Sequence, residues 1–429
     1  MLRRTLLTGL GLLPFIAPVS ALAAQIGVNT PFPPLSRERI NQLPASERQA
    51  WLDYLTRSQT QMDADKAALR AERVGLTAYP APPKDGNGVN TMPLDKPDDW
   101  YGSDEAKLIT ANIISFQTPA GGWGKNQPRN APPRERGQLY VIDENRQPPI
   151  DDFDNPPDPR WHYVGTTDNG ATIHETRFLA RVVATTGDEA AKASALKALN
   201  YFLNAQFPNG GWPQVWPLEG GYHDALTYND NAMISVTALV GDAGRTEGDF
   251  AFVPPEMRAR LLKAEQKGTE IFLKTQVVIN GKPTLWAPQY DALTLTPCSA
   301  RNYEMPALSS TDSGSVLVYL MQHPDPSQEM KAAIHTGIAM LKSLAIEGMD
   351  FTFAEDVGAR RLIPKPDAAP IWGRYLDLKT LQPIFGARSK AIYDDIADVE
   401  TGARKGYAWY SRAPQRALDA YVAWSAKHP

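Results

Sequence analysis

The sequence predicts a mainly α-helical protein built as an α/α toroid with long irregular loops and a small N-terminal helical subdomain. Three observations lead there. The first is an imperfect repeat in which a helical run ends in Gln, a turn follows, and Gly and Trp come next. Its copies are Ile113 to Gln117 with Gly121-Gly122-Trp123, Tyr201 to Gln206 with Gly210-Gly211-Trp212, and Ile271 to Gln276 with Gly281 and Trp286. Gln117, Gln206 and Gln276 stand 89 and 70 residues apart, room for a helical hairpin and its loops in each unit. The second observation is strong helical periodicity over His174 to Thr186, Glu189 to Gln206, Ala232 to Leu239, Pro255 to Gln276 and Gln328 to Ile346. The third is that alternating apolar runs are few and short. Recurring helical hairpins stack into a ring that points helix ends and loops at a central cleft.

From the N-terminus, Met1-Leu2-Arg3-Arg4, an apolar run from Thr5 to Val19 and Ala21-Leu22-Ala23 read as a signal peptide, residues 1–23. The run is short and broken by Pro14 and Pro18, and nothing later reaches the ~18 apolar residues of a membrane span. The expected location is therefore periplasmic or secreted, with the export route left open. Residues 24–99 hold a Pro-rich leader (Thr30 to Pro34), one or two amphipathic helices from Ser46 to Ala71 carrying Trp51, Leu52, Tyr54 and Leu55, and a Pro/Gly/Asp connector. Residues 100–429 form the expected toroid domain.

Charge narrows the function. The formal charge is −4, and losing Arg3 and Arg4 with the leader makes it −6. Such a chain is poorly suited to nucleic acid or a membrane surface. An anionic substrate would need local arginines and lysines, or a bound cation. The single Cys298 cannot form an internal disulfide, so a large core must hold the protein together. Ten Trp and sixteen Tyr suit both that core and flat carbohydrate contacts.

Polar clusters fall where helices are predicted to begin. Thr166-Thr167-Asp168-Asn169-Gly170-Ala171-Thr172 precedes one helix, and Tyr228-Asn229-Asp230-Asn231-Ala232 opens another. Either cluster suits helix capping. Two on equivalent corners of a repeat also provide the oxygen donors that a hard divalent cation takes. His162, His174 and His223 lack the paired spacing of zinc sites. Arg301 sits in the Pro-bounded loop Thr296-Pro297-Cys298-Ser299-Ala300-Arg301-Asn302-Tyr303-Glu304, and Lys125, Arg374 and Arg388 are further basic candidates. In a cleft, an arginine can clamp a carboxylate with two parallel hydrogen bonds.

The strings Gly121-Gly122-Trp123-Gly124-Lys125-Asn126, Thr167-Asp168-Asn169-Gly170-Ala171-Thr172, Gly210-Gly211-Trp212-Pro213-Gln214, Tyr228-Asn229-Asp230-Asn231, Ala300-Arg301-Asn302-Tyr303-Glu304, and Trp372-Gly373-Arg374-Tyr375 with Pro383-Ile384-Phe385 resemble the pectate lyases of polysaccharide lyase family 10. They run in order from about Trp100 to Tyr410. The resemblance implies an (α/α)3 toroid, a calcium ion, and cleavage of polygalacturonate by β-elimination. Carried over by position, Asp168, Asn169 and Asp230 are the expected calcium ligands and Arg301 the expected base. Lys125, Asn231, Arg374 and Arg388 are the expected substrate contacts, and a monomer is the expected state.

The chemistry is coherent. The C5 proton of a uronic acid lies α to the carboxylate, so its removal builds charge that a cation on that carboxylate stabilises. An arginine base is demanding because its pKa exceeds ~12; neighbouring cations and alkaline pH would ease it, with Lys125 as the rival base. Two other classes compete. An inverting glycoside hydrolase would use Asp168 and Asp230 as acid and base without metal. A non-catalytic binding protein would leave Arg301 on the surface, far from both Asp clusters.

Overall fold

The computed structural model describes residues 25–86, 91–143 and 151–428. The expected signal peptide lies outside the described residues.

Helix α1, Ala45–Arg73, is one continuous helix. Trp51, Tyr54, Ser58, Met62, Asp65 and Leu69 are its buried residues, spaced three or four apart along one face. That face joins the main core: Trp51 and Tyr54 pack on Phe207, and the Tyr54 hydroxyl donates to the Ala205 carbonyl at 3.0 Å.

Helix α2, Asp104–Ser115, starts at a Ser103 cap with Asp104 and Glu105 in its first turn, where the helix dipole favours acids. Three helical hairpins follow: α3 (Ile173–Thr186) with α4 (Glu189–Ala205), α5 (Ala232–Arg245) with α6 (Pro255–Lys274), and α7 (Ser310–Met321) with α8 (Gln328–Ser343). Helix α9, Gln415–Ser425, packs on α7 and α8. The first hairpin is tight because Gly187 adopts φ 70° at the end of α3 and Asp188 immediately caps α4.

Residues of α3, α5, α7 and α9 together line a cavity of about 340 Å3, so these helices form the inner ring and α2, α4, α6 and α8 the outer one. This is the predicted α/α toroid. No helix among the described residues is long and apolar enough to cross a membrane.

The Gln and Trp of the repeat have distinct tasks. Each Trp is buried and donates its indole N–H to the end of the preceding outer helix: Trp123 to Ile113, Trp212 to Phe202 and Trp286 to Phe272, at 2.7, 2.8 and 2.6 Å. Each Gln donates both to its own loop and to the next outer helix. Gln117 reaches Ser194 in α4, Gln206 reaches Ala264 in α6, and Gln276 reaches Ala333 in α8. Gly121 and Gly210 hold φ of 109° and 108°, and a Cβ on either would come within 2.7 Å of a carbonyl of that next helix. A fourth copy escaped the sequence reading. Trp372 donates to Leu341 of α8 at 2.8 Å, but Ala345 replaces the Gln and the hairpin Met349–Ala354/Ala359–Pro364 intervenes.

Beyond each Trp the chain runs in short extended segments that bridge one another. Lys125 N donates to Tyr163 O at 3.2 Å, Thr166 bridges Val215, Pro213 bridges Leu226, and Leu226–Thr227 pairs with Gln289–Tyr290. This ladder brings residues 125, 163–168 and 214–230 together at one end of the ring. The N-terminal segment contributes too. Gln25–Val28 pairs with Ala391–Tyr393, which pairs with Phe385–Gly386, and the buried Asn29 amide donates to the carbonyls of Arg301, Asn302 and Glu304.

Candidate active site

Two corners of the repeat start α3 and α5. Asp168–Gly170 and Asn229–Asn231 are single turns in which Asn169 and Asp230 take left-handed φ of 51° and 54°. Asn and Asp tolerate this region better than other side chains. The following residue in each turn is also left-handed. It is Gly170 in the first, where a Cβ would strike the His174 ring at 2.3 Å, and Asn231 in the second. The structural equivalence therefore pairs Asn169 with Asp230, both exposed, and Asp168 with Asn229, both buried.

Asp168 is 1% exposed, and its Oδ2 lies 2.7 Å from Lys125 Nζ and 3.8 Å from Arg301. Burial raises the Asp168 pKa, but the charges of Lys125 and Arg301 outweigh it and hold the carboxyl below its ordinary range. Lys125 also sits 4.2 Å from the centre of the Tyr163 ring. Asp230 behaves oppositely. Burial, then Asp168 and Asp312, push its pKa up to about 6. Its outer edge meets solvent, but its inner side faces other carboxylates. Asp312 lies on a third corner, at the start of α7, with Ser309 both capping the helix and donating to Asp312 at 2.6 Å. The sequence reading passed over it, although Ser309-Ser310-Thr311-Asp312 has the spacing of a capping box.

Arg301 belongs to this cluster. Its guanidinium contacts Tyr163 Oη at 3.3 Å, Glu304 at 3.5 Å, Asp154 at 3.7 Å and Asp168 at 3.8 Å. The phenols of Tyr222 and Tyr163, and then Glu304 after the opposing effect of burial, push its pKa well above the ordinary arginine range. Of the cations expected to ease its deprotonation, Lys125 meets the same Asp168 oxygen from the other side. Arg374 donates to Asn229 Oδ1 at 2.8 Å and lies 4.8 Å from the Tyr407 ring centre. Burial opposes its charge, but Tyr375, Tyr407, Asp312 and Glu304 outweigh that and raise its pKa.

The remaining candidates are more dispersed. Asn169 donates to Asn126 at 2.9 Å on the exposed lip of the first corner. Asn231 lines the cavity inside the ring, together with Ile173, His174 and Ser235. Arg388 is exposed, 5.5 Å from the Tyr303 ring centre. Tyr163 and Asp154 were not singled out by the sequence, because each is brought to Arg301 by loop packing; Glu304, part of the Arg301 motif, meets Arg301 locally, three residues on in one turn. His162 and His223 also meet, beside Asp154, whereas His174 lies with the inner-ring cavity.

Buried carboxylates and the cations of Lys125, Arg301 and Arg374 thus lie together beside the exposed residues Asn169 and Asp230. An acidic substrate can enter such a place, a hard cation can be held there, and a proton can be taken by a basic group. The binding-only reading had placed Arg301 far from the Asp clusters, and the 3.8 Å contact with Asp168 removes that separation.

Comparison with known proteins agrees with the geometry. No curated protein matches the chain. A solved structure of a family 10 polysaccharide lyase from Cellvibrio cellulosa is 28% identical with a TM-score of 0.65, covering 79% of this chain and 99% of that one. A mutant of a family 10 polysaccharide lyase from Cellvibrio cellulosa, solved in complex with trigalacturonic acid, is 28% identical with a TM-score of 0.64, covering 78% and 98%. The pectic acid lyase family matches residues 117–418, well over half of the sequence. The chain belongs to the pectic acid lyase family and is a polysaccharide-cleaving lyase.

Proposed function

We propose that the protein is a calcium-dependent pectate lyase that cleaves α-1,4-polygalacturonate by β-elimination. The observation that carries the metal assignment is the charge balance at the corners. Burial first, and then the charges of Asp168 and Asp312 against those of Arg374 and Arg301, push the Asp230 pKa up to about 6. Carboxylate and amide oxygens of this kind suit calcium. Asp168, Asn169 and Asp230 would hold it, and an incomplete protein shell leaves room for the substrate carboxylate. When bound, the ion neutralises that carboxylate as charge develops on it.

Arg301 takes the C5 proton in this reading. Its contacts with Tyr163, Glu304 and Asp154 fix the guanidinium on the Asp168 side of the site. The same contacts favour its protonated form, so turnover should require alkaline pH. Lys125 and Arg374 bind uronate carboxylates next to the reacting sugar, Asn231 lies towards the ring cavity, and Arg388 serves a more distant subsite on the rim. Likeness to an enzyme solved with trigalacturonic acid supports the choice of substrate. Export of a monomer completes the proposal, since a polymeric substrate is met outside the cell.

The test is ultraviolet absorbance of polygalacturonate solutions, because the 4,5-unsaturated product absorbs and the substrate does not. Activity should appear at alkaline pH, vanish with chelator and return with calcium. Activity that is indifferent to chelator, or that persists in the double variant Asp168→Ala with Asp230→Ala, would sink the metal assignment.

A further inference from the structure

Behind Arg301 lies a second cluster of a different chemical type. His162 Nδ1 is 2.8 Å and His223 Nδ1 3.1 Å from the same oxygen of Glu219. The other Glu219 oxygen accepts from the Tyr163 backbone N–H at 2.8 Å, so this carboxylate is an acceptor on both sides. Both imidazoles therefore carry their proton on Nδ1, and in the neutral rings each Nε2 presents a lone pair. Those two nitrogens converge on one oxygen of Asp154, at 3.8 Å from His162 and 3.4 Å from His223. That oxygen is itself already an acceptor, taking the hydroxyls of Tyr163 and Tyr222. The His223 side chain is 3% exposed, and its Nε2 has no hydrogen bond of normal geometry among the described residues.

Three acceptors pointed at one half-buried spot repel one another unless something positive stands between them. We infer that Asp154, His162 and His223 form a binding site for a divalent transition-metal cation of the zinc class. A tetrahedral ion with ligands at about 2.0–2.1 Å separates its ligand atoms by about 3.3–3.4 Å, close to the Asp154–His223 spacing. The three ligand atoms already lie within 4.8 Å of one another, and the two rings stand at 90° with centroids 5.4 Å apart. Glu219, bonded to the far nitrogen of both histidines, is the outer carboxylate that metal-binding imidazoles characteristically use to fix their tautomer. Two nitrogens and one oxygen select a borderline ion over calcium, which prefers oxygen alone. The site ties the loop carrying Asp154 and His162 to the segment carrying Glu219 and His223. In doing so it fixes Tyr163 and Tyr222, the phenols beside Arg301. Its role is positional, and it adjoins the Asp168 corner through Arg301, 3.7 Å from Asp154 and 3.8 Å from Asp168.

The competing occupant is a proton on each ring, which would make the cluster a hydrogen-bonded imidazolium pair. Cobalt(II) separates the two, because its visible d–d absorption is intense in a four-coordinate nitrogen and oxygen site. Full-length protein, stripped by chelator and titrated with cobalt, should bind one equivalent with such a band. The band should survive excess calcium and survive in Asp168→Asn and Asp230→Asn. It should be lost in His162→Gln and in His223→Gln, and Glu219→Gln should weaken binding about 10–100-fold. Folding of each variant is checked by circular dichroism. A folded wild-type protein that shows no band overturns the inference, as does a band that persists in both histidine variants or is abolished by calcium.

Discussion

Lys125 Nζ and Asp168 Oδ2 form an ion pair 2.7 Å long at the floor of the cleft, with the carboxylate 1% exposed. Lysine thereby holds an oxygen that a metal ion would also use. Lys125→Met removes the partner of a buried charge, and breaking such a pair costs about 3 kcal/mol. We expect that loss in urea unfolding with chelator present, partly reversed by calcium. We also expect tighter calcium binding by calorimetry in the absence of substrate. Unchanged calcium affinity would mean that lysine and metal do not compete.

Arg301 should be needed for turnover far more than for binding. A well-placed general base contributes about 10²–10⁴-fold, so Arg301→Ala should lower kcat by that range. Affinity for trigalacturonate, measured by calorimetry, should change little. Because its neighbours push the arginine pKa up, wild-type kcat should keep rising with alkalinity until the protein unfolds. A plateau near neutrality would move the base to another residue, with Lys125 first in line.

Asp230 ties stability to pH in a defined direction. Its folded pKa, about 6, lies above the ordinary aspartate range, so the folded chain holds this proton more tightly than the unfolded one. Metal-free stability should therefore fall as pH rises from about 4 to about 6 and stay lower above that. Solvent at the outer edge of the side chain keeps the effect small. Asp230→Asn should raise the metal-free melting temperature at pH 8 by about 1–2 °C. The same variant should lose calcium-induced stabilisation. A lower melting temperature in the variant would contradict the charge argument.

Asn29 donates to three carbonyls of the Arg301 loop, at 3.1, 3.0 and 3.2 Å. Asn29→Ala leaves them without that partner, which should destabilise the protein by about 1–3 kcal/mol. The loop should loosen, so kcat should fall more than KM rises. Hydrogen exchange should show faster exchange at residues 300–304 and little change in α4 or α6.

How much of this was legible in the sequence differs from element to element. The first three Gln and Trp pairs were, because each Trp donates only 10 to 14 residues back and the spacing is nearly regular. The fourth Trp was hidden by its 31-residue separation from Leu341. Helix α7 was hidden by composition: Ser310-Thr311-Asp312-Ser313-Gly314 reads as a turn. A Cβ at Gly314 would come within 3.2 Å of the Pro414 backbone, a tight but not forbidden approach. At the site, Asp168, Asp230 and Arg301 stood out through their motifs. Asp154, Glu219 and the meeting of His162 with His223 did not, since loops set those contacts across sequence gaps that follow no period.

The strand at Gln25–Val28 and the Asn29 amide join the start of the described chain to residues 301–304 and 391–393. Most joints of the ring link neighbouring hairpins, whereas this one closes a loop of 272 residues between Asn29 and Arg301. Loop-closure entropy places contacts of that kind late in folding, after local hairpins have gained their packing. The arginine loop should thus set last, and secondary structure should recover ahead of catalytic competence when the denatured enzyme refolds. Timing is then a product of topology: the ring assembles as a scaffold first and becomes an enzyme only when its two distant ends meet.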